Sequence, residues 1–153
     1  MKKHILSLLF GVLSACAFAG GRFYVSTTGS DANDGKSWAT AFADVQTAIN
    51  AAASVATDES PSEVWIAKGT YQHGSSLSMK NNVAIYGGFA GSENSLEERA
   101  IGNETILYGQ NSYNVIRNDY TMSNPLTSSA KLDAVTVSNG ESGIYNNYSS
   151  PTD

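Results

Sequence analysis

The sequence predicts an all-β fold of short stacked strands, a β-solenoid, with one helix near its start. The first observation is Val83–Phe89, Val-Ala-Ile-Tyr-Gly-Gly-Phe, which alternates like a short strand and then breaks at Gly87-Gly88, where glycine turns cheaply through positive φ. It reads as one rung followed by one corner. The second is spacing: Ile66, Ile85 and Leu107 lie about 20 residues apart, each in a short strand followed by Gly or Asn, as in a solenoid that adds one rung per turn. Strands of a sandwich recur at roughly 8 to 12 residues with hairpin turns. Some strands here are that close, so period alone places the solenoid ahead of the sandwich without removing it. The third is composition: 41% hydrophobic, 15% charged and 14 Gly, with Ser, Thr and Asn throughout. That mixture suits short strands and many turns, and it argues against a helical bundle.

The 153 residues divide into a leader, 1–19, and one domain, 20–153. Lys2 and Lys3 form a positive start, Ile5 to Leu13 an apolar run, and Ala17-Phe18-Ala19 a small-x-small cleavage signal, so the chain is expected to be exported. The run is too short for a mature membrane span, and none is expected elsewhere. Leu13-Ser14-Ala15-Cys16 also has the form of a lipobox; lipid anchoring at Cys16 is the alternative to plain secretion. Either way the single cysteine leaves no disulfide framework. The expected location is secreted or on the outer cell surface. The formal charge is -5, and loss of Lys2 and Lys3 takes it to -7. An acidic chain without a basic stripe repels phosphate backbones, so nucleic acid is excluded as a partner.

Along the mature chain, Arg22 to Ser26 reads as the first strand and Gly29 to Gly35 as a tight polar loop. From Phe42 the apolar positions Val45, Ala48, Ile49, Ala52 and Ala53 follow the i, i+3, i+4 spacing of one helix face. This predicts a helix over Asp44 to Ser54, with Asp44 as N-cap and Thr40 as the alternative. Further strands are expected at Glu63–Ala67, Ser76–Met79, Val83–Tyr86, Thr105–Tyr108, Tyr113–Arg117, Leu132–Ser138 and Gly143–Asn146. Gly91 to Asn103 and Asn118 to Ser129 read as polar loops.

These pieces resemble the N-terminal part of the secreted right-handed parallel β-helix proteins of the pectin-lyase-like superfamily. The residues that carry the likeness are Phe23-Tyr24-Val25-Ser26, Gly29-Ser30-Asp31 with Asn33-Asp34-Gly35, Ser37 to Phe42 leading to Gln46, Ala48 and Ile49, Val64 to Tyr71, and Ile85 to Phe89 followed by Gly91. The resemblance implies that the helix caps the N-terminal end of the β-helix. It also implies a surface or adhesive role of the polymorphic outer-membrane type. Ser142-Gly143-Ile144-Tyr145-Asn146 resembles that subgroup's Gly-Gly-Ala-Ile motif once, and its Phe-x-x-Asn motif does not occur. Tyr148 to Asp153 reads as the lead into another rung, so the chain is expected to be a fragment of a longer β-helix, incomplete at its C-terminus.

The expected function is a non-catalytic scaffold, adhesive or carbohydrate-contacting, whose partner is an extracellular polysaccharide or a host or cell-surface ligand. The alternative is the N-terminal fragment of a polysaccharide lyase or glycoside hydrolase of the same fold. Lyase chemistry needs carboxylates to hold calcium against a uronate and a Lys or Arg to take the α-proton. Lys80, Arg117 and Lys131, with Asp119 and Asp133, supply these groups, but their spacing marks no site and they read as surface charge. His73, the only mature histidine, sits in a Gly/Ser turn and reads as a solvated loop residue. A hydrolytic triad or a His/Cys metal cluster is excluded by inventory.

The one metal candidate is the acidic loop with Asp31, Asn33 and Asp34, whose oxygen ligands suit calcium, against the reading of a turn capped by its own Asx side chains. No other cofactor is expected. Tyr108, Tyr113, Tyr120, Tyr145 and Tyr148 suggest either sugar-stacking faces or ordinary strand residues. The Asn residues at 81, 82, 111, 114, 118, 146 and 147 read as corners, some forming ladders between neighbouring rungs.

Overall fold

The computed structural model describes residues 20–149. Residues 1–19, Cys16 among them, and the last four residues lie outside that range, and with them the leader, export, lipidation and continuation expectations.

In chain order the elements are β1 (Arg22–Val25), α1 (Val45–Val55), β2 (Ser62–Ala67), β3 (Gly69–Gln72), β4 (Val83–Phe89), β5 (Thr105–Tyr108), β6 (Ile116–Thr121), β7 (Lys131–Asp133), β8 (Thr136–Ser138) and β9 (Ile144–Ser149), with short 3-10 turns at Trp38–Thr40 and Leu96–Glu98. The strands form three sheets, ordered β1-β2-β4-β7, β3-β5-β8 and β6-β9, and every strand pair is parallel. From β2 onward the chain enters the first, second and third sheets in that order and repeats the order, with Leu77 bridging to Ile116 where a third-sheet strand is missing. The protein is therefore mostly strand in parallel sheets, with one α-helix among the described residues.

The helix forms where the apolar period placed it. Asp44 caps it, its side chain accepting from the Thr47 N–H at 2.7 Å, and Val45, Ala48, Ile49 and Ala52 are buried. That face packs on β1, β2 and β4. Inward side chains stack in columns across the sheets: Val64, Ile85 and Leu132 in the first, Tyr71, Leu107 and Val137 in the second, Leu77, Ile116 and Ile144 in the third. Two amide ladders cross the third sheet. Asn118 accepts from the Met79 N–H at 2.9 Å and donates to Asn146 at 2.9 Å, and Asn147 donates to Asp119 at 3.2 Å.

Three expectations are corrected. Leu107 does not share a sheet with Ile66 and Ile85; it pairs with Tyr71 in the second sheet, and Ile85 stands opposite Val64 rather than Ile66. The 21-residue step from Ser62 to Val83 is followed by one of 47 from Ala84 to Lys131, because the loops at the corners differ in length. Gly87-Gly88 is not a corner but lies inside β4, where the register shifts from Trp65 opposite Tyr86 to Ala67 opposite Phe89. Three residues of β4 thus span two of β2, and Gly88 takes φ +88° in this bulge. The strand expected over Leu132–Ser138 is split at Ala134, which has φ +54° and turns the chain from the first sheet into the second.

The outer face of the first sheet is partly covered. Trp65 and Phe89 are fully buried there, stacked at 4.4 Å, and Trp38 lies against Phe89 and Tyr24. The Trp38 indole donates to the Glu93 carbonyl at 2.9 Å, while the Glu93 carboxylate accepts from the N–H groups of Ala90, Gly91 and Ser92. Burial pushes the Glu93 carboxyl up, and the backbone donors outweigh it, so its pKa lies below the usual value.

Candidate functional site

Where that aromatic cover ends, the outer face of the first sheet opens into a cleft of about 370 Å³, within the size range of small-molecule sites. Register builds it. Arg22, Glu63, Ala84 and Lys131 lie in one outward row, and Tyr24, Trp65, Tyr86 and Asp133 in the next. Neighbouring strands are about 4.8 Å apart, so Glu63 and Lys131 stand roughly 10 Å apart at Cα with only the methyl group of Ala84 between them. Ala84 is the floor, and the two charged residues are the walls.

The Glu63 wall is fixed. Its side chain is buried, and Oε2 accepts from Arg22 Nε at 2.9 Å and from the Trp65 indole at 3.0 Å, with the Arg22 guanidinium 3.7 Å above the Trp65 ring. Its Oε1 accepts no hydrogen bond from the described residues. Tyr86 closes one end of the cleft, half-buried. Burial, then the charges of Glu63 and Asp133, push its phenol above the ordinary value against the pull of Arg99, so it stays a protonated donor.

The other end is a corner locked by amides. Asn82 holds φ +62°, its side-chain amide donates to Asp58 at 2.7 Å, and its backbone N–H donates to Ser129 Oγ at 3.0 Å. Asn81 donates to the Pro125 carbonyl and accepts from the Thr127 N–H. An aromatic plate, an available carboxylate oxygen, an ammonium, amides and serine hydroxyls around a shallow floor can hold a polyhydroxylated ligand by hydrogen bonds and ring stacking.

A second cavity, of about 290 Å³, contains Asp44 and His73 among its lining residues. His73 is buried rather than solvated, because the Gly/Ser turn packs it against the helix start. Its Nδ1 lies 3.2 Å from Asp44 Oδ2, and its Nε2 is buried without a partner. Burial lowers its pKa and Asp44 only partly offsets this, so the ring is neutral. A carboxylate-held imidazole has the donor order of a general base, but the nitrogen that would act is sealed off.

The calcium candidates serve their own loop. Asp31 Oδ1 accepts from the N–H groups of Ala43 at 3.0 Å and Asp44 at 2.9 Å, Asn33 donates to the Ala41 carbonyl, and Asp34 accepts from the Lys36 N–H. The Thr40 hydroxyl, then the Lys36 N–H, hold Asp34 below the usual carboxylate value. Among the described residues no group of three His, Cys, Asp or Glu side chains is arranged to hold a metal.

The lyase-type charges are not brought together. Arg117 and Asp119 pair with each other on the third sheet at 2.6 Å, Asp133 pairs with Arg99 at 2.9 Å, and only Lys131 reaches the cleft. Of the tyrosines, Tyr108 lies on the second sheet, while Tyr120, Tyr145 and Tyr148 lie on the third. Tyr120 donates to the Met79 carbonyl, and Tyr145 lies under Arg117 at 5.2 Å. The aromatic that faces the cleft is Tyr86, read in the sequence only as part of a strand.

No protein family, curated protein or solved structure matches the chain. Among the described residues no helix is long and apolar enough to cross a membrane.

Proposed function

We propose that the protein is an exported, non-catalytic scaffold that contacts carbohydrate through the cleft between Glu63 and Lys131. The three sheets are read as the faces of one parallel β-helix, closed at its start by α1 and right-handed, as crossovers between parallel strands of one sheet almost always are. The repeated order of the sheets and the buried face of α1 support this, in keeping with the resemblance to pectin-lyase-like proteins. Export rests on the leader in the sequence.

The observation that carries the function is the outward row Glu63, Ala84, Lys131 with Tyr86 beside it. Arg22 and Lys131 balance Asp58 and Glu63, so the site carries no net charge and suits a neutral pyranose: apolar ring face on Tyr86, hydroxyls on Glu63 Oε1, Lys131 and the Asn82 corner. The test is affinity electrophoresis through gels containing soluble neutral and uronic-acid polysaccharides. Retardation by at least one neutral polymer, abolished in Tyr86→Ala, is expected. Mobility unchanged in every polymer overturns the reading, and retardation by uronic-acid polymers alone overturns its neutral specificity.

A further inference from the structure

A second recess lies on the outer face that carries the cleft. It holds about 370 Å³, and Gly88, Leu96, Arg99, Asn103, Asp133 and Ala134 are among its lining residues. The loop at 96–103, which follows β4, and the turn at Ala134 wall it in. Along β4 the cleft is lined by Ala84 and Tyr86 and the recess by Gly88; along β7 the cleft is lined by Lys131 and the recess by Asp133. The two therefore follow one another in the strand direction. Ala84 and Gly88 are four positions apart, about 13 Å at the rise of a strand, which is farther than one sugar ring reaches.

The ridge between them repeats a device found beside the first cleft. There Arg22 is held by Glu63 at 2.9 Å, with its guanidinium 3.7 Å from the centre of the Trp65 ring. At the ridge Arg99 is held by Asp133 at 2.9 Å, with its guanidinium 5.7 Å from the centre of the Tyr86 ring. Register prepares both, because Trp65, Tyr86 and Asp133 are successive members of one outward row. Arg99 is fixed further: Nε donates to the Leu96 carbonyl at 3.0 Å and Nη1 to the Gly87 carbonyl at 3.4 Å. A guanidinium locked in this way loses little freedom when a ligand hydroxyl meets one of its remaining N–H groups. The bulge in β4 supplies the space. Gly88 has no side chain, and one placed there would start 3.6 Å from Ala134 Cβ and 3.7 Å from Arg99 Cδ and take up the recess.

We propose that the recess is a second subsite for the same glycan, so that the protein binds an extended neutral oligosaccharide laid along β4. One sugar sits over Ala84 against Tyr86, and a later one meets Arg99 and the fully exposed Ile101 at the rim of the recess. Arg99 and Asp133 cancel, so the recess, like the cleft, carries no net charge. Two sites in line with a strand suit a β-linked chain, which runs extended, better than a coiled α-linked one. The inference rests on the glycan reading of the first cleft and adds to it the length and shape of the ligand.

Isothermal titration with cello-, xylo- and manno-oligosaccharide ladders, from monosaccharide to hexasaccharide, tests it. In a ladder that binds, affinity is expected to rise by about tenfold or more once the chain reaches from one site to the other, and then to level off. Ala100→Leu and Ile101→Asp, both at exposed positions of the recess, are expected to remove that rise and to leave the affinity for the shortest bound sugar unchanged. An affinity independent of chain length overturns the second subsite, as does a rise that survives both substitutions; either result leaves the first cleft standing. A protein that neutral polymers retard but that binds no member of the three ladders overturns the extended β-linked ligand. Failure of the glycan reading itself shows separately, as unchanged mobility in every gel, and takes the second subsite with it.

Discussion

Asp44 holds the start of α1 and the ring of His73 with one carboxylate: Oδ1 accepts from the Thr47 N–H at 2.7 Å and Oδ2 lies 3.2 Å from His73 Nδ1. Because burial lowers the His73 pKa, the unfolded chain takes up a proton near pH 6.5 that the folded one refuses. The histidine's contribution is therefore complete above 6.5 and is lost as pH falls toward the lowered folded value. Chemical denaturation between pH 8 and the carboxylate range is expected to show stability falling below about 6.5. In His73→Gln that slope should flatten; stability rising as pH falls through the same window contradicts the assignment.

The two roles of Asp44 separate by substitution. Asp44→Asn keeps a cap acceptor and is expected to cost a few tenths of a kcal/mol, whereas Asp44→Ala loses the cap at about 0.5–2 kcal/mol. Urea unfolding measures both. Equal losses would mean that the cap contributes nothing.

The bulge in β4 makes a sharper contrast. A methyl group on Gly87 would meet the Ala134 carbonyl oxygen at 2.3 Å and Thr105 Cβ at 2.9 Å, while one on Gly74 meets nothing within 4 Å. Gly87→Ala is expected to destabilise by about 2 kcal/mol or more. Gly74→Ala should be neutral or gain about 0.4–1 kcal/mol through the unfolded state. Thermal melts of the pair check this, and similar melting temperatures contradict it.

Glu93 anchors the cover over the aromatic layer. Glu93→Gln leaves a neutral acceptor for three backbone donors and is expected to cost about 1–3 kcal/mol at pH 7. Since the carboxyl's folded pKa is depressed, its contribution is complete above about 4.5 and lost as pH falls further, so the difference between the two proteins should shrink in acid. A constant difference across pH 7 to 3 rejects the carboxylate's role.

How much of this was legible follows from the range of each signal. The helix could be read because Val45, Ala48, Ile49 and Ala52 lie on one face within three turns and Asp44 is a short-range cap. Most strands were readable for the same local reason, but Ser76–Met79 forms only the Leu77 bridge, β3 at Gly69–Gln72 was not anticipated, and the strand expected over Tyr113–Arg117 runs instead from Ile116 to Thr121, into the expected loop. The idea of asparagine ladders was readable, though not which residues pair. Partners in the parallel sheets lie from 21 to 47 residues apart here, and loop lengths set those steps. The apparent period linking Ile85 to Leu107 therefore crossed from one sheet to another. Gly87-Gly88 signals a kink equally well at a corner or in a bulge, and only the opposing strand decides. His73 carries no local mark of burial, because what buries it is the helix start 29 residues earlier. The cleft was invisible for the same reason: Glu63, Ala84 and Lys131 are unremarkable residues until register sets them in a row.

The cleft is tested most directly by filling its floor. Ala84 points outward between Glu63 and Lys131, so Ala84→Leu occupies the space of one sugar ring without touching the inward core. Isothermal titration of a neutral polysaccharide that retards the wild type is expected to show binding weakened at least tenfold in Ala84→Leu, at an unchanged melting temperature. Equal affinity in the two proteins would contradict the account.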